Sequence, residues 1–209
     1  MTEDLRFSEI EHKYVVGERF DLQHFRDALA RMNPTRTTSV RVRDRYFLTE
    51  GHRRFVIRHR YDAELHHLTL KTLEADTEVR AEINLDLGHH AGDQGAQVDA
   101  FLDRLGVEWR GTLHKDVDVW YFPDCEVCCY RASTESRAVR CVEFEARGAG
   151  SMEAALATLQ TYERATGFDR AVRSRVPLLQ MLFPEVEALL ASDRLASDRL
   201  ASDRSAPPE

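Results

Sequence analysis

A chain of 209 residues with a net charge of −7, 43% hydrophobic and 31% charged residues, suffices for one globular domain with a substantial core. No apolar run approaches the eighteen or so residues of a membrane span, and charges scattered through residues 1–20 argue against a secretory signal. The negative balance argues against a surface that coats nucleic acid. The expectations are therefore a cytoplasmic protein without membrane or nucleic-acid partners. Lys and Arg nevertheless concentrate between Arg41 and Lys71, which suits a small anionic ligand.

In chain order, alternation over residues 8–16 predicts a strand. Asp21 then caps a helix in which Leu22, Phe25, Ala28, Leu29 and Met32 share one face, ended by Asn33-Pro34. Strands are predicted at about 37–48, 53–61, 65–73 and 77–87, separated by short polar turns such as Glu50-Gly51. Their sequential spacing implies an antiparallel meander. A loop at 88–95 leads to a helix carrying Val98, Phe101, Leu102 and Leu105, closed by Gly106. Three more strands are predicted near 111–122, 125–133 and 137–147. Ser151 caps a helix with Ala155, Leu156, Leu159 and Tyr162 inward, ended by Gly167. A last amphipathic helix begins around Val176-Pro177 and carries Leu178, Leu179, Leu182 and Phe183. The tail repeats Ala-Ser-Asp-Arg from Ala191, Ala196 and Ala201. A five-residue period makes no continuous apolar stripe, so a frayed or disordered extension is expected. The organisation read from the sequence is one domain over 5–186 and a tail over 187–209.

Residues two apart on a strand share a face. Glu9, Glu11 and Lys13 therefore point one way, and Ile10, His12 and Tyr14 the other. Arg58 and Arg60 lie opposite Phe55, Ile57 and His59, and Lys71 shares its face with Thr69. Arg80 lines up with Glu82, and Glu143 with Glu145. A solvated polar face explains any one such strand, but a theme of paired carboxylates or paired guanidiniums on five strands suggests faces that converge. Converging charges must be neutralised, because burying isolated ions is costly. Hard carboxylate oxygens suit Mg²⁺ or Mn²⁺, and Arg and Lys suit phosphoryl oxygens.

Other polar residues offer less. Cys125, Cys128, Cys129 and Cys141 are not followed by a second ligand pair, so strand thiols are expected rather than a zinc site or disulfides. His66-His67 and His89-His90 are expected in solvated turns or loops, and His12 and His59 on the strand faces opposite the charges. Trp109 and Trp120 are expected to pack in a core or a helix–barrel seam. Ser133, Ser136 and Ser174 lack a nucleophile-elbow context.

The ordered series carries a resemblance. Glu9-x-Glu11-x-Lys13, Asp44-Arg-Tyr46-Phe47, Arg58-His-Arg60, Leu68-Thr-Leu-Lys71, Arg80-Ala-Glu82 and Glu143-Phe-Glu145 resemble the motifs of the CYTH family, the triphosphate tunnel metalloenzymes, over about residues 8–183. The resemblance implies a mainly β, α+β fold: an eight-stranded antiparallel barrel forming a tunnel, with helices packed outside. It implies Mg²⁺ or Mn²⁺ held by Glu9, Glu11 and Glu145 with Glu143 and Glu82 nearby, and phosphates gripped by Lys13, Arg58, Arg60, Lys71, Arg80 and Lys115. Glu9, Glu11, Lys13 and Lys71 would carry the catalysis. The implied activity is metal-assisted hydrolysis of a triphosphate, inorganic tripolyphosphate first; a homodimer is compatible with it. Two alternatives stand beside it: an adenylate cyclase of the same family, and a non-catalytic polyphosphate- or nucleotide-binding module. Asn84 in place of an acid, Val117 in place of a base, and Cys128-Cys129-Tyr130-Arg131 in place of an Asp-bearing strand depart from the family pattern.

Overall fold

Side-chain alternation becomes a closed wall. The structure, a computed structural model, describes residues 8–49, 55–73 and 78–189. The strands are β1 (Ser8–Val15), β2 (Arg36–Thr49), β3 (Phe55–Tyr61), β4 (His66–Thr72), β5 (Val79–Asp86), β6 (Val107–Tyr121), β7 (Cys125–Ser133) and β8 (Ala138–Ala146). They form a closed antiparallel barrel in the order β1-β5-β4-β3-β2-β6-β7-β8. The closing strand β1 divides its edges: Ser8, Glu9 and Ile10 pair with β5, and Glu11 to Val15 pair with β8.

The helices are α1 (Leu22–Arg31), α2 (Gly95–Asp103), α3 (Met152–Thr166) and α4 (Leu178–Leu182). Both expected N-caps form. Asp21 accepts from the His24 N–H at 2.9 Å, and the Ser151 hydroxyl from the Ala154 N–H at 3.1 Å. Gly167 closes α3 with φ 80°, a left-handed turn that a residue without Cβ adopts freely.

The apolar core lies outside the barrel. Phe25 and Leu29 of α1, with Ala155, Leu159 and Tyr162 of α3, pack onto Ile10, Tyr14, Trp120, Val127, Val142 and Phe144 of the outer wall. Trp120 meets Phe25 edge-on at 5.8 Å, so this indole fills a helix–barrel seam as expected. A smaller cluster joins Val98 and Leu102 of α2 to Phe47 and Ile57. With the aromatic and helix-facing apolar side chains committed outward, the charged ones face inward, beside Val42, Val56, Leu113, Val117 and Val119 on the same faces as Asp44, Lys71 and Lys115.

Three features differ from the sequence reading. β6 starts at Val107 rather than near 111, because Val107, Trp109 and Arg110 find partners in Thr49, Leu48 and Phe47 at the far end of β2. His66 and His67 open β4, within one residue of the strand expected at 65–73, which corrects the separate expectation of a turn for this pair. The last helix stops at Leu182, and residues 184–189 form a separate helical turn, α5. Pro184 lacks an N–H and pushes Phe183 to φ −129°, ψ 83°, which interrupts the helix. The chain falls into two compact units, one ending at Arg175 and one beginning at Val176. No helix of the described residues is long and apolar enough to cross a membrane. The tail repeat, the Glu50-Gly51 turn and the expected strand starts at 53 and 77 lie outside the described residues.

Candidate functional site

The registers bring the charged faces into one lumen. Glu9 lies across from Arg80, Glu11 from Glu145, and Lys13 from Glu143. Asp44 lies across from Arg60, and Lys71 from Glu82. Lys115, on β6, reaches the same interior through Asp44. All eleven residues expected from the sequence therefore sit on strands of one barrel; ion pairs join eight of them to one another, while Arg60 and Lys115 meet at Asp44 and Glu145 pairs with Arg147.

Lys71 Nζ reaches both oxygens of Glu9, at 3.0 and 3.1 Å, and also pairs with Glu82. Arg80 spans two carboxylates: Nε donates to Glu9 and Nη2 to Glu11, both at 2.5 Å. Arg60 grips Asp44 with two bonds of 2.7 Å, and Lys115 lies 3.4 Å from the same carboxylate. Lys13 lies 3.9 Å from Glu11 and 3.8 Å from Glu143. Arg58 approaches Glu82 at 3.4 Å and the Thr69 hydroxyl at 3.2 Å, while its buried Nε has no hydrogen-bond partner among the described residues. A buried guanidinium N–H without an acceptor is costly.

The electrostatics separate the carboxylates into two kinds. Burial pushes Glu9 up, but Lys71 and Arg80 outweigh it and hold Glu9 well below the usual range. Glu143 is likewise lowered against its burial, by Lys13, Lys115 and the Tyr130 hydroxyl that donates to it at 2.7 Å. Glu11 is different. Burial raises it to about 7, with Glu143 and Glu9 adding repulsion that Arg80 and Lys13 only partly offset. Burial also raises Glu145 well above its ordinary value, with repulsion from Glu9, Glu126 and Glu11 outweighing Arg147.

Among the described residues no group of three His, Cys, Asp or Glu side chains is disposed to hold a metal ion as it stands. The donor chemistry nevertheless fits one. Glu11 and Glu145 are direct cross-strand partners, raised chiefly by burial and further by like charges, Glu143 and Glu9 for Glu11 and Glu9, Glu126 and Glu11 for Glu145. A divalent cation among hard oxygens would relieve that repulsion.

Several residues in contact with these side chains lay outside the expected site set. Asp44, fully buried, neutralises both Arg60 and Lys115; its place in Asp44-x-Tyr46-Phe47 was the available signal. Tyr130 stands under Lys115 at 4.9 Å from the ring centre and carried no charge to mark it. Arg147 pairs with Glu126 at 2.5 Å and Glu145 at 3.0 Å. Asn84 accepts from Thr69 at 2.6 Å and donates to Glu82 at 3.0 Å, so an amide turns Glu82 toward Arg58. The four cysteines are free thiols on β7 and β8, as expected, and burial pushes Cys128 well above its ordinary value.

The histidines correct one expectation. His66 is buried, not solvated, because its ring packs outside the barrel against His59. The Gly88 carbonyl can only accept, so His66 Nδ1 carries a proton, and its bare Nε2 accepts from His59 Nε2–H at 3.1 Å. Burial, then Arg45, lower His59 to about 4, against Asp93 and Asp99. A folded value below the unfolded value of about 6.5 means that the unfolded chain takes up the proton first. Stability from this ring is therefore full above about 6.5 and lost as pH falls toward about 4. Urea unfolding across that window should show a pH-dependent fall in the midpoint that is shallower in His59→Leu; equal slopes would refute the assignment.

The sequence matches the family model described as the CYTH domain over residues 8–163. No curated protein matches it significantly. Among solved structures, the PH1012 protein of Pyrococcus horikoshii OT3 superposes with a TM-score of 0.67 at 15% identity, covering 83% of this chain and 99% of that one. The RNA triphosphatase domain of a trifunctional mimivirus mRNA capping enzyme gives a TM-score of 0.51 at 7% identity, covering 78% and 90%. A candidate adenylyl cyclase from Hippeastrum, with a dominant triphosphatase activity, gives 0.50 at 15% identity, covering 77% and 88%. At these identities the likenesses establish the fold.

Proposed function

The chain belongs to the CYTH domain family, and on that premise we propose that it is a divalent-metal-dependent hydrolase of triphosphate compounds, with inorganic tripolyphosphate as the leading substrate. The observation that carries this reading is the lumen itself. Lys13, Arg58, Arg60, Lys71, Arg80 and Lys115 line one tunnel, and the buried Arg58 Nε still needs an acceptor. Phosphoryl oxygens supply acceptors of the right charge. Two of the structural neighbours, the mimivirus domain and the Hippeastrum protein, are triphosphatases, which supports the class of reaction.

Glu9, Glu11 and Glu145, with Glu82 and Glu143 nearby, would hold Mg²⁺ or Mn²⁺, which when bound polarises the terminal phosphoryl group and lowers the pKa of an attacking water. The chain's own residues do the rest. Arg80 and Lys71 share the Glu9 carboxylate, so both can turn to phosphate oxygens as that carboxylate takes another partner. Arg60 and Lys115 stay aligned by Asp44 and present their remaining N–H groups to the lumen. Cations preset around the transferring group stabilise its charge without reorganising as it develops.

The test is a product assay with purified protein and Mg²⁺ or Mn²⁺ on tripolyphosphate, nucleoside triphosphates and thiamine triphosphate. Phosphate release fastest from tripolyphosphate is expected. Cyclic AMP and pyrophosphate from ATP would instead identify a cyclase. Tight triphosphate binding without turnover, unchanged in Glu145→Gln, would identify a binding module.

A further inference from the structure

At the end of the barrel where β2 begins and β6 ends, a second anion-binding arrangement is filled by the protein itself. Arg36 and Thr38 share the inward face of Asp44, because the register of β2 on β6 is unbroken from Arg36 to Leu48. Tyr121 shares the inward face of Lys115 and is the direct cross-strand partner of Arg36. The Arg36 guanidinium lies 4.1 Å from the centre of the Tyr121 ring. Into this corner folds the turn between β3 and β4. Arg36 Nη1 and Nη2 donate to the two oxygens of Glu64, each at 3.2 Å. The Thr38 hydroxyl donates to the same carboxylate at 2.9 Å and the Tyr121 hydroxyl at 3.4 Å.

The turn does not need this carboxylate for its shape. Asp62 already fixes it by accepting from the N–H groups of Glu64 and Leu65, both at 2.8 Å. Nor does the pair add much stability, since the Arg36 side chain is 55% exposed and exposed ion pairs are weak. What remains is recognition: a guanidinium fork and two hydroxyls around a planar anion are donors that also suit a phosphoryl group. Tyr121 stays a donor, because burial and the neighbouring Glu126 and Glu64 push its phenol up to about 12. Arg36 stands eight positions from Asp44 on β2, about 26 Å at a rise of about 3.3 Å per residue. It therefore serves a different phosphoryl group from the one that Arg60 faces.

We propose that Arg36, Thr38 and Tyr121 form an entry subsite for a phosphoryl group of a linear phosphate chain, and that the Glu64 carboxylate occupies it until such a chain displaces it. This rests on the triphosphatase reading. Displacement also releases the β3–β4 turn from the rim of the tunnel, so substrate entry and opening of the mouth are one exchange of anions on the same donors.

The experiment compares the full chain with Glu64→Gln, Arg36→Ala, their double variant and Thr38→Val, by calorimetric titration and steady-state phosphate release with a linear polyphosphate long enough to reach from Arg36 to Arg60, beside tripolyphosphate as the short-chain control, with thermal midpoints as the folding control. Glu64→Gln should lower Kd and KM about three- to tenfold, since a neutral amide competes less well for a cation. Arg36→Ala and Thr38→Val should raise both, and the double variant should match Arg36→Ala, because Glu64 then has no guanidinium to compete for. Unchanged or weaker binding in Glu64→Gln, beside a wild-type protein that binds and hydrolyses tripolyphosphate, overturns the subsite and leaves the triphosphatase reading standing. A folded wild-type protein that neither binds nor hydrolyses tripolyphosphate overturns both.

Discussion

Arg80→Ala is expected to lower kcat/KM for triphosphate hydrolysis about 10²- to 10³-fold, the usual effect of removing one preset charge-stabilising donor. Arg80 is the guanidinium shared by Glu9 and Glu11, at 2.5 Å from each. Burial opposes its charge, but those two carboxylates hold its pKa well above the ordinary value, so it stays cationic throughout the working range. Its removal takes away a cation proposed to face phosphate and leaves Glu9 and Glu11 to repel one another. Arg80→Lys separates the two effects. A single ammonium keeps the charge but cannot bridge both carboxylates in the fork geometry, so the lysine variant should fold normally and recover only part of the activity. A phosphate-release assay decides it: more than about a tenth of wild-type kcat/KM in Arg80→Ala would remove Arg80 from the proposed machinery.

Asp44→Ala should be costly in a different quantity, folding free energy, by about 3–5 kcal/mol, because it leaves buried cations without their counter-charge. Asp44 is fully buried, and its two oxygens serve Arg60 at 2.7 Å and Lys115 at 3.4 Å. Burial alone would raise its pKa; Arg60, Lys115 and the Arg60 hydrogen bonds outweigh burial and hold it far below the carboxylate range. For a lowered carboxylate the stability is present above the unfolded value of about 3.9 and is lost as pH falls through the folded value. Urea unfolding at neutral pH measures the cost directly. Repeating it down to about pH 3 should show the gap between wild type and variant only beginning to narrow, because the folded value of Asp44 lies well below that pH. A variant within about 1 kcal/mol of wild type would mean that Arg60 and Lys115 find other partners or water.

The sequence carried the fold well where a strand has two chemically distinct faces. Glu9-x-Glu11-x-Lys13 and Arg58-x-Arg60 announce their orientation by alternation alone, and the structure places them on one inner wall. It carried less where the partner decides. The start of β6 at Val107 depends on the far end of β2, and burial of His66 depends on His59 and the Gly88 carbonyl, neither visible in a local window. Tyr130 and Asn84 were invisible as site residues for a related reason. Each owes its role to a neighbour, Lys115 and Glu143 for one, Glu82 and Thr69 for the other.

What the sequence by itself determined is the inventory and the period: which charges exist, that they recur at spacing two, and that the apolar residues between them must face something else. Closure of the barrel then decided which charges meet. Glu11, raised by burial with Glu143 and Glu9 adding to it, stands near 7, whereas Glu9, equally buried but between Lys71 and Arg80, stands far below it, although the two glutamates lie two residues apart on one strand. Local alternation fixes a side chain's face, but only the register of distant strands fixes its distance to other charges, and Coulomb energies in a buried site depend on that distance.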